Sequence, residues 1–183
     1  MKTSVTTFLL LMLFGSAAAA YAQGIEWEAL NDEVMSLFQQ GQYDHAVVVA
    51  KKALDAAERA EGANHPSVAT SLNNLAAIYV AQGQYAQAEP IYKRSLAIME
   101  KALGPDHPVV GMNLNNLAEL YRTQGQYMQA EPLYKRSLAI VEKAFGPNHL
   151  DVATSLTCTM MTIFQTHSPV PSQSVKTYDS SFV

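Results

Sequence analysis

Apolar side chains recur along the middle of the chain at the spacing of helix faces, in two stripes that a glycine separates. The first stripe consists of Val68, Leu72, Leu75 and Tyr79, and the second of Tyr85, Ala88, Tyr92, Leu96 and Met99. Steps of three and four residues bring each stripe onto one face of a helix. Gly83 lies between them and suits the left-handed residue that ends a helix. The pattern predicts two antiparallel helices joined by a tight turn, which we name helix A and helix B.

The same pattern returns after 42 residues. Residues 65–106 and 107–148 are identical at 29 of 42 positions, and weaker copies flank them on both sides. A fixed period of this length is typical of proteins built from stacked units, each of which buries its apolar face against the next. The sequence therefore predicts an all-α fold, an α-solenoid of antiparallel helix pairs.

Two sets of motifs carry a family resemblance. The order L-x-x-L-A-x-x-Y followed by G-x-Y-x-x-A-x-x-x-Y resembles the tetratricopeptide repeat. The 42-residue period, with N-N-L-A, A-E-P-[IL]-Y-K-R-S-L and G-P-[DN]-H-P, resembles the longer repeat of the kinesin light chain family. The resemblance covers about Asn31 to Leu156. It implies a right-handed superhelix, with helix A lining the concave side and helix B the convex side.

The period also predicts the boundaries within the chain. The segments are a divergent N-terminal repeat at 23–64, full repeats at 65–106 and 107–148, and a partial repeat with a capping helix at 149–165. Glu33 stands where Leu75 and Leu117 stand in the full repeats, so we expect it to face an exposed end, as in a capping repeat. The Ser/Thr/Pro-rich residues 166–183 are typical of a disordered tail. A truncated or frameshifted end of a longer array fits this segment as well.

Residues 1–22 have the features of a signal peptide. A lysine at position 2 precedes the apolar run 8–14, and Ala20-Tyr21-Ala22 has the small residues that signal peptidase requires. The apolar run is too short to cross a bilayer, which takes roughly 20 residues. We therefore expect cleavage before Gln23, a periplasmic or secreted protein and no stable membrane insertion.

Charge and cysteine content exclude several functional classes. The net charge is −4, and a mildly acidic chain does not favour nucleic acid as a partner, because phosphate binding requires a clustered basic surface. Cys158 is the only cysteine, so no intrachain disulfide or cysteine-based metal site can form. It stands in register with Asn74 and Asn116, so we expect it to face the same surface as these residues.

Catalytic and metal-binding motifs are absent from the sequence. The best constellation is His65, His107 and His149, one in each loop before helix A. Adjacent repeats stack roughly 8–10 Å apart, whereas zinc ligands must lie within about 2.0–2.1 Å of one ion. We therefore expect each histidine to close the start of a helix A, and we predict neither an enzyme nor a cofactor nor a metal site.

The two full repeats differ mainly in helix A, which holds eight of their 13 differences. Polar pairs recur there on successive repeats, at Asn31 and Asp32, at Asn73 and Asn74, and at Asn115 and Asn116. An amide offers donors and an acceptor, which suits the N–H and C=O groups of an extended peptide. The tetratricopeptide resemblance implies that Asn74 and Asn116 bind ligand backbone. In the alternative interpretation, the amides tie adjacent repeats together.

Helix A of the third repeat adds a charged pair. Glu119 and Arg122 replace Ala77 and Val80 of the preceding repeat. Being three residues apart on a helix, they can pair with each other, or they can select the charge of a ligand. The sequence thus predicts an exported scaffold that binds an extended peptide or protein segment along the helix A surface. The alternative is a structural subunit that self-associates through its exposed terminal helices.

Overall fold

The computed structural model describes residues 26–147 together with 157, 159, 160 and 162. Six helices in sequential order make up residues 26–147. They are α1 (26–39), α2 (Tyr43–Glu61), α3 (Pro66–Ala81), α4 (Tyr85–Leu103), α5 (Pro108–Thr123) and α6 (Tyr127–Phe145). Helix A of the three repeats corresponds to α1, α3 and α5, and helix B to α2, α4 and α6. No strand occurs within these residues. The all-α prediction and the helix-pair prediction are confirmed.

The turn between helix A and helix B ends the first helix as its glycine predicts. Gly83 has a φ of 73°, a conformation that costs other residues energy. The N–H of Gln84 donates to the carbonyl of Tyr79 at 2.8 Å, and the N–H of Gly83 donates to Val80 at 2.9 Å. This pair of bonds is the Schellman arrangement, which satisfies carbonyls that the helix end leaves open.

Histidine and proline together start each helix A that follows a loop. The Nδ1 atom of His65 accepts the N–H of Ser67 at 3.3 Å, and Nδ1 of His107 accepts the N–H of Val109 at 3.2 Å. Pro66 occupies the first helical position, where no N–H is required. The prediction that a histidine closes the helix start is confirmed for His65 and His107. His149 lies outside the described residues.

The core forms two layers along the helix pairs. The layer at the glycine turn contains the small residues Ala76 and Ala88, both 0% exposed, surrounded by Tyr79, Tyr92 and their counterparts. The layer at the histidine loop is built on residues such as Val68 and Leu72. Alanine at the crossing lets the two helix axes approach closely, and the aromatic rings fill the space beside it.

Periodic polar contacts join each repeat to the next. Among them, the Nδ2 amide of Asn74 donates to Oδ1 of Asn31 at 2.7 Å, and Nδ2 of Asn116 donates to Oδ1 of Asn73 at 3.0 Å. On the helix B side, an ion pair joins Arg94 to Glu58 at 2.6 Å. Arg136 and Glu100, 42 residues further on, form the same pair at 2.6 Å. The repeats are therefore connected by the same two bonds at successive levels.

The ends of the array differ from its middle. Glu33 is exposed whereas Leu75 is buried, as expected of an N-terminal cap. Trp27 stands at the position of Ala69 in the next repeat, and its indole N–H donates to the hydroxyl of Ser71 at 2.7 Å. Of the partial repeat, the four described residues are helical. The expectations for Cys158, for the signal peptide at 1–22 and for the tail at 166–183 fall outside the described residues.

Replacing Ala88 by leucine tests the close approach at the helix crossing. We expect Ala88→Leu to lower the free energy of unfolding by roughly 1–3 kcal/mol, because no space exists there for a larger side chain. Urea denaturation followed by circular dichroism measures the change. The control is Ala97→Leu, the same substitution at an exposed position of α4, which should change stability by less than about 0.5 kcal/mol. Equal effects of the two substitutions would contradict the packing described here.

A double-mutant cycle tests the amide contact between repeats. We expect Asn73→Ala and Asn116→Ala each to lower the free energy of unfolding by about 1 kcal/mol, because each removes the same hydrogen bond. The double variant should then lose less than the sum of the single variants, by about 0.5 kcal/mol or more. Strict additivity in urea denaturation would show that the two amides do not interact.

Candidate functional site

Helices α1, α3 and α5 carry all the residues that the sequence proposes for binding. We define the helix A groove as the surface formed by residues 31–38, 73–80 and 115–122. The stacking of α2 on α3 and of α4 on α5 places these helices on successive levels of one array. The groove contains the eight predicted site residues, namely Asn31, Asp32, Asn73, Asn74, Asn115, Asn116, Glu119 and Arg122.

The amide contacts between repeats use only one polar end of each asparagine. Asn74 and Asn116 donate their Nδ2 groups to the preceding repeat. The bonds between repeats that the alternative interpretation expects are therefore present. The Oδ1 atoms of Asn74 and Asn116 have no partner among the described residues, and they can accept an N–H from a ligand. A bond between repeats and a bond to ligand backbone are thus compatible in one side chain.

Asn115 breaks this series. Its Oδ1 atom is buried and has no partner among the described residues. In Asn31 and Asn73 the corresponding oxygen accepts the amide of an asparagine 43 residues later. Position 158 would supply that amide for Asn115, and the sequence has cysteine there. The asparagine series therefore ends at the third repeat, because the residue type that donates is replaced.

An apolar cavity opens in the groove between α1 and α3. Its volume is about 100 Å³, and it is lined by Val34, Met35, Phe38, Asn74, Ala77 and Ile78. Met35 is 44% exposed, a high value for a large apolar side chain at the mouth of a cavity. The volume corresponds to about three water molecules at roughly 30 Å³ each. It suits a small apolar side chain, with the Asn74 amide at hand for the ligand backbone.

Met35 and Phe38 were not among the residues that the sequence proposed. Their positions correspond to Ala77 and Val80 in the second repeat. The same positions hold Glu119 and Arg122 in the third repeat. Glu119 and Arg122 stood out because they differ from Ala77 and Val80. Comparison of the same two positions with the first repeat would also have identified Met35 and Phe38.

Glu119 and Arg122 form the pair that their spacing allows. Arg122 Nε donates to Glu119 Oε2 at 2.8 Å, and Arg122 Nη2 donates to Glu119 Oε1. The hydroxyl of Tyr134 also donates to Oε2, at 2.6 Å. The hydrogen bonds from Arg122 hold the pKa of Glu119 below its usual range, against the opposing effect of burial, and the Tyr134 bond adds to them. Both carboxylate oxygens are occupied, so this level of the groove presents a neutral pair.

A second carboxylate–tyrosine contact links α4 to α5. Glu89 accepts from Lys93 at 2.7 Å and from the hydroxyl of Tyr121 at 2.9 Å. These two hydrogen bonds, that of Lys93 first, lower the pKa of Glu89. Burial alone raises the pKa of Tyr92 to about 12. These groups are held in their ordinary charge states at neutral pH, which fits structural contacts better than acid–base chemistry.

Within the described ranges, no group of three histidine, cysteine or acidic side chains is arranged to hold a metal ion. The helices of these ranges also include none that is long and apolar enough to cross a membrane. What the described surface offers is an apolar cavity, amide groups and charged side chains along the groove. This arrangement suits non-covalent binding.

Comparison with known proteins gives three matching segments and a set of similar structures. A family model described as "Tetratricopeptide repeat" matches residues 28–101, 69–127 and 109–157. A search of curated proteins finds no match.

Among solved structures, a Podosopora anserina protein described as a kinesin light chain with nearly identical TPR-like repeats has a TM-score of 0.70 and 24% identity, over 76% of this chain and 66% of that one. BtubC (BKLC) from P. vanneervenii has a TM-score of 0.71 and 21% identity, over 76% of this chain and 56% of that one. This chain therefore spans less than two thirds of either protein.

A third similar structure is the Yersinia enterocolitica type III secretion chaperone SycD in complex with a peptide of the translocator YopD. Its TM-score is 0.57 and its identity 17%, over 76% of this chain and 93% of that one. Identities this low establish a shared fold. The family model, in contrast, covers most of the chain, from the first repeat to the partial one. The chain belongs to the tetratricopeptide repeat family.

Proposed function

We propose that the chain is a non-enzymatic interaction scaffold that binds an extended peptide or protein segment in the helix A groove. The observation that carries this proposal is the cavity between α1 and α3, an apolar opening with an amide in its wall. An extended segment can place one side chain in the cavity and its main-chain N–H groups near the Oδ1 atoms of Asn74 and Asn116. SycD, which shares the fold, is in complex with a peptide.

The rigidity of the groove favours this function. Helices α3 and α5 are each fixed by their own helix B and by the preceding repeat, and α1 is joined to α3 by the bond from Asn74 to Asn31, so the binding surface exists before a ligand arrives. A preformed surface lowers the ordering cost of binding. Side chains vary from repeat to repeat at positions 35, 77 and 119, and at 38, 80 and 122, while the buried framework is retained. Specificity can therefore reside in these positions without loss of stability.

The asparagines are poor choices for a test, because Asn74→Ala would remove a bond between repeats together with any ligand contact. Filling the cavity separates the two effects. We expect Ala77→Leu to weaken peptide binding by roughly tenfold or more, because the added carbons occupy the space for a ligand side chain. Its thermal stability should stay equal or rise, because the leucine packs against Met35 and Phe38.

The measurement uses random nonapeptides displayed on phage and selected on the wild-type protein. Peptides from that selection are synthesised, and their affinities for wild type and variants are measured by fluorescence anisotropy. Ala81→Leu, the same substitution at an exposed position of α3 outside the groove, serves as the control and should bind as wild type does. Selection of no peptide, or equal binding by Ala77→Leu, would contradict binding in this cavity.

Export is the second part of the proposal, and the features of residues 1–22 support it. When the full chain is produced in a Gram-negative host, we expect the periplasmic protein to begin at Gln23 on N-terminal sequencing. An Ala20→Arg/Ala22→Arg variant should retain its leader, because signal peptidase requires small residues at these positions. A wild-type product that begins at Met1 would contradict export by this route.

A further inference from the structure

The negative charge of the described chain is concentrated in its first repeat. Residues 26–50 contain five acidic residues and no lysine or arginine, whereas residues 51–147 contain nine acidic and ten basic residues. The five are Glu26, Glu28, Asp32, Glu33 and Asp44. The rest of the described array is therefore close to electrical balance, and its N-terminal end is not.

These five carboxylates form no ion pair among the described residues, in contrast to most of the acids in residues 51–147. Each ion pair of the described residues lies between Asp55 and Lys143, and none includes one of these five acids. Asp44 accepts a hydrogen bond from the amide of Gln82 at 2.8 Å, which leaves its charge uncompensated. Like charges held together raise the local negative potential, which attracts cations and basic groups.

Two of the acids lie on the same face of α1 as Met35, which lines the cavity. Glu28, Asp32 and Met35 follow one another at the i, i+4, i+7 spacing of a single face of α1. Asp32 occupies the position that Asn74, a cavity-lining residue, occupies one repeat later.

Resting on the proposed function, we infer that the α1–α3 level of the groove binds a basic peptide segment. One small apolar side chain enters the cavity, and flanking lysine or arginine side chains lie beside Asp32 and Glu28. An extended peptide advances about 3.3 Å per residue, so a basic residue two positions from the apolar one lies about 7 Å away. Asp32 lies about 4.5 Å along α1 from Met35 at the cavity, so such a basic side chain can approach this acid to within the Debye length of about 8 Å at physiological salt, and the attraction persists.

The preference belongs to this level of the groove alone. On α5 the positions equivalent to Met35 and Phe38 hold Glu119 and Arg122, which neutralise each other. A ligand that reaches α5 therefore meets no net charge there, and its basic residues contact the acids of α1.

The probe is the fluorescein-labelled peptide Lys-Ser-Lys-Ser-Leu-Ser-Lys-Ser-Lys, measured by anisotropy against the full wild-type protein. Two matched peptides replace either all lysines by glutamate or the leucine by serine. We expect the basic peptide with leucine to bind at least about tenfold more tightly than either of the others. Its affinity should fall when the salt concentration rises from 50 mM to 500 mM, because exposed charges are screened.

Neutralising the two acids identifies the site. We expect Glu28→Gln/Asp32→Asn to weaken binding of the basic peptide by roughly three- to tenfold. Asp32→Asn only restores the residue that the later repeats have, so folding should be retained. The control Glu61→Gln/Glu142→Gln removes the same net charge at exposed positions outside the groove and should bind the basic peptide nearly as well as wild type.

The outcomes separate this inference from the proposed function. If phage-selected peptides bind in the cavity but the glutamate peptide binds as well as the lysine peptide, the basic preference is wrong and the scaffold function stands. Equal losses in the two double variants would likewise overturn the role of Glu28 and Asp32. If neither the designed nor the selected peptides bind, the inference and the proposed function both fail.

Discussion

The burial of α3 and of α5, each between two helix B neighbours, is the interaction on which the rest of the structure depends. Helix α3 packs on α4 of its own repeat and on α2 of the preceding one, and α5 packs in the same way on α6 and α4. A single helix pair leaves part of its apolar surface in water, so the pairs are stable only as a stack. Alanine at the crossing points, such as Ala76 and Ala88, permits the close approach that this burial requires.

The stack produces the groove as a geometric consequence. Because the repeats stack in one register, equivalent positions of α1, α3 and α5 lie on successive levels, and the chain can vary them one at a time. At one such position α1 has the large apolar Met35, α3 has the small Ala77, and α5 has the charged Glu119. A constant framework thus carries a surface whose chemistry changes from level to level. This property makes non-covalent recognition the function that the described structure supports best.

Some polar side chains of this array stabilise the stack and also keep one polar atom open to a ligand. Asn74 and Asn116 hold adjacent repeats together through one end of the amide and keep the other end open. Glu119 is used fully by Arg122 and Tyr134, so it contributes to stability and presents little net charge. The acids of α1 form no ion pair among the described residues. Helix α1 therefore differs from the later part of the array in how far its charges are compensated within the protein.

The sequence alone determined much of this fold, because the determining interactions are local and recur with a fixed period. Gly83 specifies a left-handed turn, Pro66 and His65 specify a helix start, and the apolar stripes specify which face is buried. Each of these features depends on residues a few positions apart, and each occurs in both of the full 42-residue repeats. The exposed position of Glu33 followed from the same register.

Only the tertiary structure decided which groups of different helices meet. Asn74 reaches Asn31 across 43 residues, Glu119 meets Tyr134 from the neighbouring helix, and Met35 and Phe38 enclose a cavity with Ala77. These contacts depend on the separation and rotation of packed helices. Such quantities are set by the sum of many small packing interactions and not by the type of any single residue. The sequence could therefore place the asparagines on the right surface, and the structure was needed to show that they bind the protein itself and which side of each amide stays open to a ligand.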